Sequence, residues 1–299
     1  MCKRLMLCLF SVVLISNIYG QKIKSVPQTL DEKIKSEVSE FKGNVWIYAK
    51  NLDSGKEYSL RGDEKVRTAS TIKLPIMTEV FRQVAEGKLK WTDEIILSKD
   101  NKTSGSGILN EFTDGTKVDI KTLNNLMIVI SDNTATNILL DKVSSNNVNG
   151  FMKTLGLSNT LSLRKIGGGG DSKAYDEPLN KVFGIGVSTP KDMVMLLEKL
   201  EKGEVVNKES SAEMIAILKR QQYTDLIGRN LLDTVPIASK SGSLDRLRSD
   251  VGIIYTRRGR IVMAITTDDN PVVHYNWDGE AEELIWRLSQ ILQAGLAKN

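Results

Sequence analysis

Three short motifs along the chain carry the residue types that acyl transfer needs. Ser70 and Lys73 are three residues apart, so on a helix their side chains are neighbours and the amine can take the hydroxyl proton. The run 131–133 (Ser-Asp-Asn) adds a hydroxyl and an amide that can relay a proton and hold a substrate. The run 240–242 (Lys-Ser-Gly) adds a cation beside a flat strip of backbone. Together they predict a serine nucleophile activated by a lysine.

The surroundings of Ser70 separate it from other serines with the same spacing. Ser-x-x-Lys recurs at Ser39, Ser162 and Ser188, and we assign no catalytic role to those positions. Ser70 instead opens the apolar stretch 72–84, in which isoleucine or valine recurs at every fourth position, as on one face of a helix. A serine that only caps a helix is the competing interpretation. It explains one motif but not three in this order.

Acyl transfer assigns a step to each motif. Ser70 attacks the carbonyl carbon, Lys73 accepts its proton if burial and nearby cations keep the amine neutral, and Ser131 passes a proton to the leaving nitrogen. Backbone N–H groups of Ser70 and of the strand would form the oxyanion hole. Helix capping, or a solvated lysine at 240, are the alternatives. The expected substrate-binding residues of these motifs are Asn133, Lys240, Ser241, Gly242 and Ser243.

The scarcity of histidine and cysteine excludes two other kinds of hydrolase. The single histidine, His274, cannot supply the several ligands of a zinc hydrolase, and we expect it in a loop or in packing. Both cysteines, Cys2 and Cys8, lie close to the N-terminus. We therefore expect no metal, no other cofactor, no disulfide and no thiol nucleophile in the mature protein.

Residues 1–20 have the pattern of a secretory signal peptide. Lys3 and Arg4 precede an apolar run, 5–15, that is too short to span a bilayer, and Gly20 offers a cleavage point. Cleavage would remove two positive charges from a net charge of +4, which leaves too little charge to favour nucleic acid. We expect a secreted or periplasmic monomer without stable membrane insertion; an uncleaved anchor is the alternative.

Periodicity and turn residues predict strands near both ends of the chain and helices between them. The predicted strands are Asn44–Lys50, Glu57–Leu60, Ile237–Ser241, Ser249–Tyr255 and Arg260–Thr267. The predicted helices are Thr29–Phe41, Ser70–Val84, Leu123–Ile130, Thr134–Val143, Pro190–Glu201 and Ala281–Leu296.

This arrangement predicts an α/β (α+β) fold of two lobes after the signal segment, with residues 21–299 as one domain. One lobe, about 21–68 and 219–299, would hold a sheet completed by both termini. The other, about 69–218, would be an inserted helical block. Ser70 lies at the boundary between the lobes, where clefts form preferentially.

Longer matches surround the motifs, at 105–107, 127–137, 188–190 and 219–222. With them, the chain from about Val45 to Trp286 resembles the class A β-lactamase-like serine hydrolases. The resemblance implies an α/β/α sandwich with an antiparallel sheet, a second lobe that is all-helical, and attack on a β-lactam carbonyl by Ser70. It also implies a small-molecule substrate, either a β-lactam or a cell-wall peptide, and no nucleic acid.

The same family carries a deacylating glutamate in a loop after the Ser-Asp-Asn helices, and two registers compete for it here. Glu177 is followed by proline and then asparagine, as in the family motif, but it lacks the preceding arginine. Alternatively, Arg164 matches the approach to the loop, which puts Ile166 at the glutamate position. The proline and asparagine favour Glu177 as the catalytic base.

The resemblance also implies an arginine that binds the substrate carboxylate, at a spacing this chain does not keep. Arg248 is the first candidate, followed by Arg246 and Arg220. A surface ion pair is the alternative for each.

Three functions are compatible with these residues. The first is a secreted β-lactamase that works through an acyl-serine. The second is a penicillin-binding D-Ala-D-Ala carboxypeptidase, or an esterase-like hydrolase, with poor deacylation of lactams. The third is a non-catalytic protein that binds lactam or peptidoglycan, for which the short chain offers no signalling domain.

Overall fold

The computed structural model describes residues 28–231, 234–273 and 275–298. The signal-like segment and His274 lie outside these residues, so the predictions about them stay predictions.

The helices are α1 (Leu30–Ser39), α2 (Lys73–Ala85), α3 (Ile120–Val129), α4 (Asn133–Val143), α5 (Ser145–Thr154), α6 (Pro190–Lys202), α7 (Lys208–Leu218) and α8 (Glu280–Leu296). The strands are β1 (Asn44–Asn51), β2 (Glu57–Leu60), β3 (Val66–Arg67), β4 (Glu94–Ile96), β5 (Lys117–Asp119), β6 (Leu161–Ser162), β7 (Gly186–Ser188), β8 (Ile237–Leu244), β9 (Leu247–Thr256) and β10 (Gly259–Asp268).

Five of the strands form one antiparallel sheet, in the order β2-β1-β10-β9-β8. The register pairs N-terminal with C-terminal strands: Val45 lies opposite Thr267 across β1 and β10. At the opposite edge of the sheet, Lys240 of β8 lies opposite Val251 of β9. Both ends of the chain therefore complete this sheet, as the sequence predicts.

Helices cover both faces of the sheet because its central strands are apolar on both sides. On one face, Ile47 and Ile265 pack against Leu288 of α8 and the buried side of α1. On the other face, Val262 belongs to a large core that includes Leu197 of α6 and the helices of the second lobe. The result is the α/β/α sandwich, and the predicted fold class is confirmed.

The second lobe contains short strands as well as helices. A three-stranded sheet has the order β3-β7-β6, and β4 pairs with β5 as a separate ribbon. Four of these strands, β4 to β7, lie within residues 69–218 and correct the expectation of an all-helical lobe; each is two or three residues long. Strands of this length are too short to show an alternating pattern in the sequence. None of the helices within the described residues is both long and apolar enough to cross a membrane.

Candidate active site

Ser70 lies in a short 3-10 turn, Ala69–Ile72, that leads directly into α2. Ala69 has a positive φ of 45° and is buried, so the turn is held in a conformation that L-residues rarely adopt. The turn is closed by a bond from the Thr71 N–H to the Thr68 carbonyl, 3.1 Å. Ser70 therefore lies at the N-terminal end of the buried helix α2, which is the position predicted for the nucleophile.

Lys73 is the first residue of α2 and is fully buried. Its Nζ lies 2.6 Å from the Ser131 carbonyl, 2.8 Å from Asn133 Oδ1 and 3.1 Å from Ser131 Oγ. Burial lowers the pKa of the Lys73 amine well below its usual value, and the neighbouring Lys240 lowers it further. Both effects favour the neutral amine that can accept a proton from a serine.

Ser131 occupies the turn between α3 and α4 with a positive φ of 57°. The next residue, Asp132, secures this turn, because its side chain accepts the N–H groups of Ala135, Ile108 and Leu109 at 2.7 to 2.9 Å. Asp132 is not among the residues predicted for the site. An aspartate directly before a helix favours an N-cap, so its position before α4 could have predicted this role in the turn.

Lys240, on β8, is the second buried amine beside Ser131. Its Nζ donates to Ser131 Oγ at 3.1 Å and to the Ser241 carbonyl at 2.6 Å. Ser131 Oγ therefore lies between two lysines, one from each lobe. Burial lowers the pKa of Lys240 to about 7, and the charge of Asp250 opposes that shift. Burial also raises the pKa of Asp250 to about 7.

The second-order rate of acylation by a carboxylate-bearing lactam is expected to fall as the pH rises through about 7. Lys240 is charged below its pKa and neutral above it, and a neutral amine cannot pair with the carboxylate. The loss should approach roughly tenfold for each pH unit beyond the pKa. Stopped-flow kinetics from pH 5 to 9 would check this.

Two controls isolate the charge of Lys240. The methyl ester of the same lactam should lose the alkaline decline, because it presents no carboxylate. Lys240→Arg should move the decline above the measured range, because a guanidinium stays charged. An identical alkaline limb for acid and ester would contradict the assignment.

Gly242 brings strand β8 against the turn that carries Ser70. A Cβ placed on Gly242 would lie 2.8 Å from the Ser70 nitrogen and 2.9 Å from both the Thr68 carbonyl oxygen and the Thr71 nitrogen. Only glycine permits this approach between the strand and the nucleophile turn. The close packing supports an oxyanion hole formed from the Ser70 N–H and the Ser243 N–H.

Gly242→Ala is expected to slow acylation by about a hundred- to a thousand-fold, the usual cost of losing an oxyanion-hole donor. The added methyl group must push β8 away from Ser70, since the atoms it meets are backbone. Acylation rates and thermal unfolding of the variant would be measured together. Gly150→Ala is the matched control, because a Cβ there meets nothing within 4 Å. Equal rates for the two variants would contradict the prediction.

A cleft of about 620 Å³ opens between the two lobes, and several of these residues line it. Ser70, Ser131 and Asn133 line it from the helical side, and Ser241, Gly242 and Ser243 line it from β8. The volume lies within the roughly 300–1,000 Å³ typical of small-molecule sites. Within the described residues, no group of three or more histidine, cysteine, aspartate or glutamate side chains is arranged to hold a metal ion.

Arg248 lies on β9 opposite Ser243 and lines the cleft. It is buried and forms an ion pair with Glu282 of α8, a partner that the sequence analysis did not identify. Its Nη1 donates to the carbonyl groups of Leu244 and Leu247, at 2.6 and 2.8 Å. Glu282 thus neutralises part of the charge expected to hold a substrate carboxylate, while Nη2 has no hydrogen-bond partner among the described residues.

The two other arginine candidates do not line the cleft. Arg246 donates to the carbonyl groups of Asn270 and Pro271, at 2.9 and 3.3 Å. Arg220 donates to Asn125 at 2.8 Å, which ties the end of α7 to α3. Of the three, the structure therefore brings only Arg248 to the site.

The structure does not bring Glu177 to the cleft. Glu177 is exposed at the start of a 3-10 helix, Pro178–Phe183, and is not among the residues that line the cavity. Ile166 lines the cavity instead. Asn137 of α4 holds the Ile166 backbone with two hydrogen bonds, 2.9 Å to its carbonyl and 3.0 Å from its N–H. The expectation favouring Glu177 is corrected: the loop follows the register that places Ile166 at the site.

A family model described as the Beta-lactamase enzyme family matches residues 29–296. The chain belongs to this β-lactamase family. β-Lactamase BRO-1 from Moraxella catarrhalis is 26% identical over 249 residues, which cover 80% of this chain and 76% of that protein.

Solved structures of β-lactamase-type proteins share the fold over most of the chain. A β-lactamase from Sphaerobacter thermophilus is 31% identical, with a TM-score of 0.78 over 89% of this chain and 95% of that one. The protein PBP-A is 27% identical, with a TM-score of 0.76 over the same shares. A mutant of PBP-A, described as an acyl-enzyme complex with penicillin G, is 28% identical with the same TM-score and shares. The predicted resemblance to β-lactamase-like serine hydrolases is thereby confirmed.

Proposed function

We propose that this member of the β-lactamase family is an exported serine β-lactamase, which opens the lactam amide through an acyl-Ser70 intermediate. The position of Ser131 Oγ carries the proposal. It lies 3.1 Å from both Lys73 Nζ and Lys240 Nζ, in the cleft that Ser70 lines. A hydroxyl between two buried amines, beside a serine at a helix start, is suited to moving protons during acyl transfer.

Acylation follows from these contacts. Ser70 Oγ bonds to the lactam carbonyl carbon as its proton moves to the neutral amine of Lys73, and the carbonyl electron pair moves to oxygen. When the tetrahedral species collapses, the carbon–nitrogen bond breaks. The nitrogen takes a proton from Ser131, which is replaced by one from Lys73 across the 3.1 Å contact. The products are an ester on Ser70, an opened ring and a neutral Lys73.

Deacylation has less support in the cleft. A water must attack the ester carbonyl and give up a proton, and the amine of Lys73, which contacts Ser131 in the cleft wall, is one group that could accept it. Ile166 occupies the cavity wall where the family register places a carboxylate, and its side chain cannot hold or deprotonate water. We propose that the acyl-enzyme is hydrolysed more slowly than it forms, so that a burst precedes continuous turnover of the lactam.

A second candidate function follows from the same isoleucine. A penicillin-binding D-Ala-D-Ala carboxypeptidase, or an esterase-like hydrolase, would use the same acylating groups on a natural substrate and would keep a lactam bound. The similarity to PBP-A favours this candidate. The similarity to a β-lactamase covers an equal share of the chain, so the two similarities together do not favour one candidate over the other.

Turnover of a chromogenic cephalosporin by the protein from residue 21 onward tests both candidates. Continuous hydrolysis at substoichiometric enzyme would support the β-lactamase. A burst of one equivalent followed by near silence, together with release of D-alanine from a D-Ala-D-Ala peptide, would support the carboxypeptidase. Absence of both a burst and continuous turnover would contradict both candidates.

Export and monomeric state are parts of the proposal that need their own measurements. N-terminal sequencing of the protein from a periplasmic or culture fraction should begin at Gln21, after the predicted cleavage point. Light scattering on the purified protein should give the mass of one chain. A cytoplasmic, uncleaved product or a dimer mass would contradict the respective part.

A further inference from the structure

The cleft extends well beyond the residues that carry out the chemistry. Three aromatic side chains line one part of its wall, Tyr223, Tyr275 and Trp277, and we call this part the aromatic end. They are 42%, 63% and 63% exposed. Large exposed rings beside an active site mark a surface that a ligand can cover.

The two rings of the loop after β10 are held in place although they are exposed. Tyr275 donates from its hydroxyl to Asp245 at 2.5 Å, and the guanidinium of Arg248 lies 4.8 Å from its ring centroid. Arg229 lies 4.9 Å from the Trp277 ring and donates to the Trp277 carbonyl at 2.9 Å. Rings anchored in this way bind a ligand with little loss of side-chain freedom.

A chain of contacts relates the aromatic end to the nucleophile. Gly242 packs against the Ser70 turn, and the next residue, Ser243, lies opposite Arg248. Arg248 in turn stacks on Tyr275. A substrate acylated at Ser70, with its carboxylate towards Lys240 and Arg248, would direct the substituent next to that carboxylate at Tyr275 and Trp277.

We propose that the aromatic end is a subsite for a flat aryl or heteroaryl group carried by the substrate beside its carboxylate. The inference rests on the proposed reaction with β-lactams, and it names the class of lactam that the site prefers. Offset stacking on one or two anchored rings provides the affinity, and the exposed ring faces provide the area. The amide side chain on the other side of the lactam is not directed at these residues.

Two cephalosporins that differ only in the substituent beside the carboxylate, methyl or heteroaryl, provide the test. The wild type should be acylated faster by the heteroaryl compound. Trp277→Ala and Tyr275→Ala should each lower the ratio of the two second-order rate constants by about threefold to tenfold, the range that one aromatic contact contributes. Tyr275→Phe should keep the ratio, because it keeps the ring and loses only the bond to Asp245.

Controls separate ring contact from general damage to the cleft. Phe112→Ala removes an exposed ring that does not line the cavity, so its ratio should equal that of the wild type. A pair of penicillins that differ only in the amide side chain should show an unchanged ratio in every variant. An unchanged ratio for the cephalosporins in Trp277→Ala and Tyr275→Ala, or an equal slowing of both compounds, would overturn the proposal.

Binding without chemistry keeps this inference distinct from the proposed function. Titration calorimetry of the two cephalosporins with Ser70→Ala protein should show tighter binding of the heteroaryl compound, and the added Trp277→Ala change should remove that preference. If no lactam acylates the wild type but this preference is found, the proposed function fails and the subsite stands. If acylation occurs without any preference, the subsite fails and the function stands.

Discussion

A single covalent adduct on Ser70 is the expected result when the protein reacts with a penicillin. The adduct should carry the mass of the intact penicillin, since the lactam ring opens without losing atoms. Quenching within seconds, followed by digestion and mass spectrometry, would locate it on the peptide that contains residue 70. Ser70→Ala should lower the rate of lactam consumption by about 10⁴- to 10⁶-fold, the scale on which loss of a serine nucleophile acts.

The geometry explains why Ser70 alone should react. Ser188 is buried, and its hydroxyl lies 2.7 Å from Thr160 Oγ1 in a hydrogen-bonded pair. Ser162 is also buried and donates to Ser145 at 3.0 Å. Neither lines the cleft. Ser188→Ala is therefore a matched control that should leave the adduct on Ser70. An adduct on either buried serine, or full activity in Ser70→Ala, would end the assignment.

Ile166→Glu is the substitution expected to change turnover most in the opposite direction. Asn137 fixes the Ile166 backbone, and Ile166 lines the cleft. A glutamate at position 166 would therefore place a carboxylate beside the ester on Ser70. A positioned general base contributes about a hundred- to ten-thousand-fold to such a step. The rate constant for loss of the acyl-enzyme should rise by a factor in that range, as followed by intact-protein mass spectrometry.

Two companion variants test whether the added base is responsible. Ile166→Gln has nearly the size and polarity of the glutamate variant but cannot accept the proton, so deacylation should stay close to the wild-type rate. Glu177→Gln should leave both acylation and deacylation unchanged, because the Glu177 side chain is exposed outside the cleft. Accumulation of acyl-enzyme in Glu177→Gln would restore Glu177 as the base and refute the role inferred for position 166.

The sequence by itself determined the fold class and the groups that we propose for acylation. The larger strands and helices were predictable because each carries a local pattern, a continuous apolar run in β10 and a period of 3.6 residues in α2, that does not depend on its neighbours. Ser70, Lys73, Ser131 and Lys240 were recognisable because their spacing within motifs restricts the chemistry. In the structure Ser70 and Ser131 line one cleft, and the two buried lysines each contact the Ser131 hydroxyl.

The tertiary structure alone decided the register of the loop after α5. Glu177 has the more suitable local sequence, yet Ile166 reaches the cleft because Asn137, far along the chain, holds its backbone. Local sequence reports turn chemistry, whereas the path of a long loop depends on the distant groups that bind it. Residues 160–180 in isolation offer both registers and do not decide between them.

The tertiary structure also decided the charges around the substrate-binding residues. The partner of Arg248 is Glu282, and the carboxyl that acts on the charge of Lys240 is Asp250 of the neighbouring strand β9, opposite Ser241. Each pairing joins residues from two separate elements, so the spacing of residues within one element cannot predict it. Burial shifts the pKa values of Lys240 and Asp250 towards their neutral forms, and each opposes the shift of the other. Residue types showed which groups can do chemistry, while packing determined their protonation and their partners.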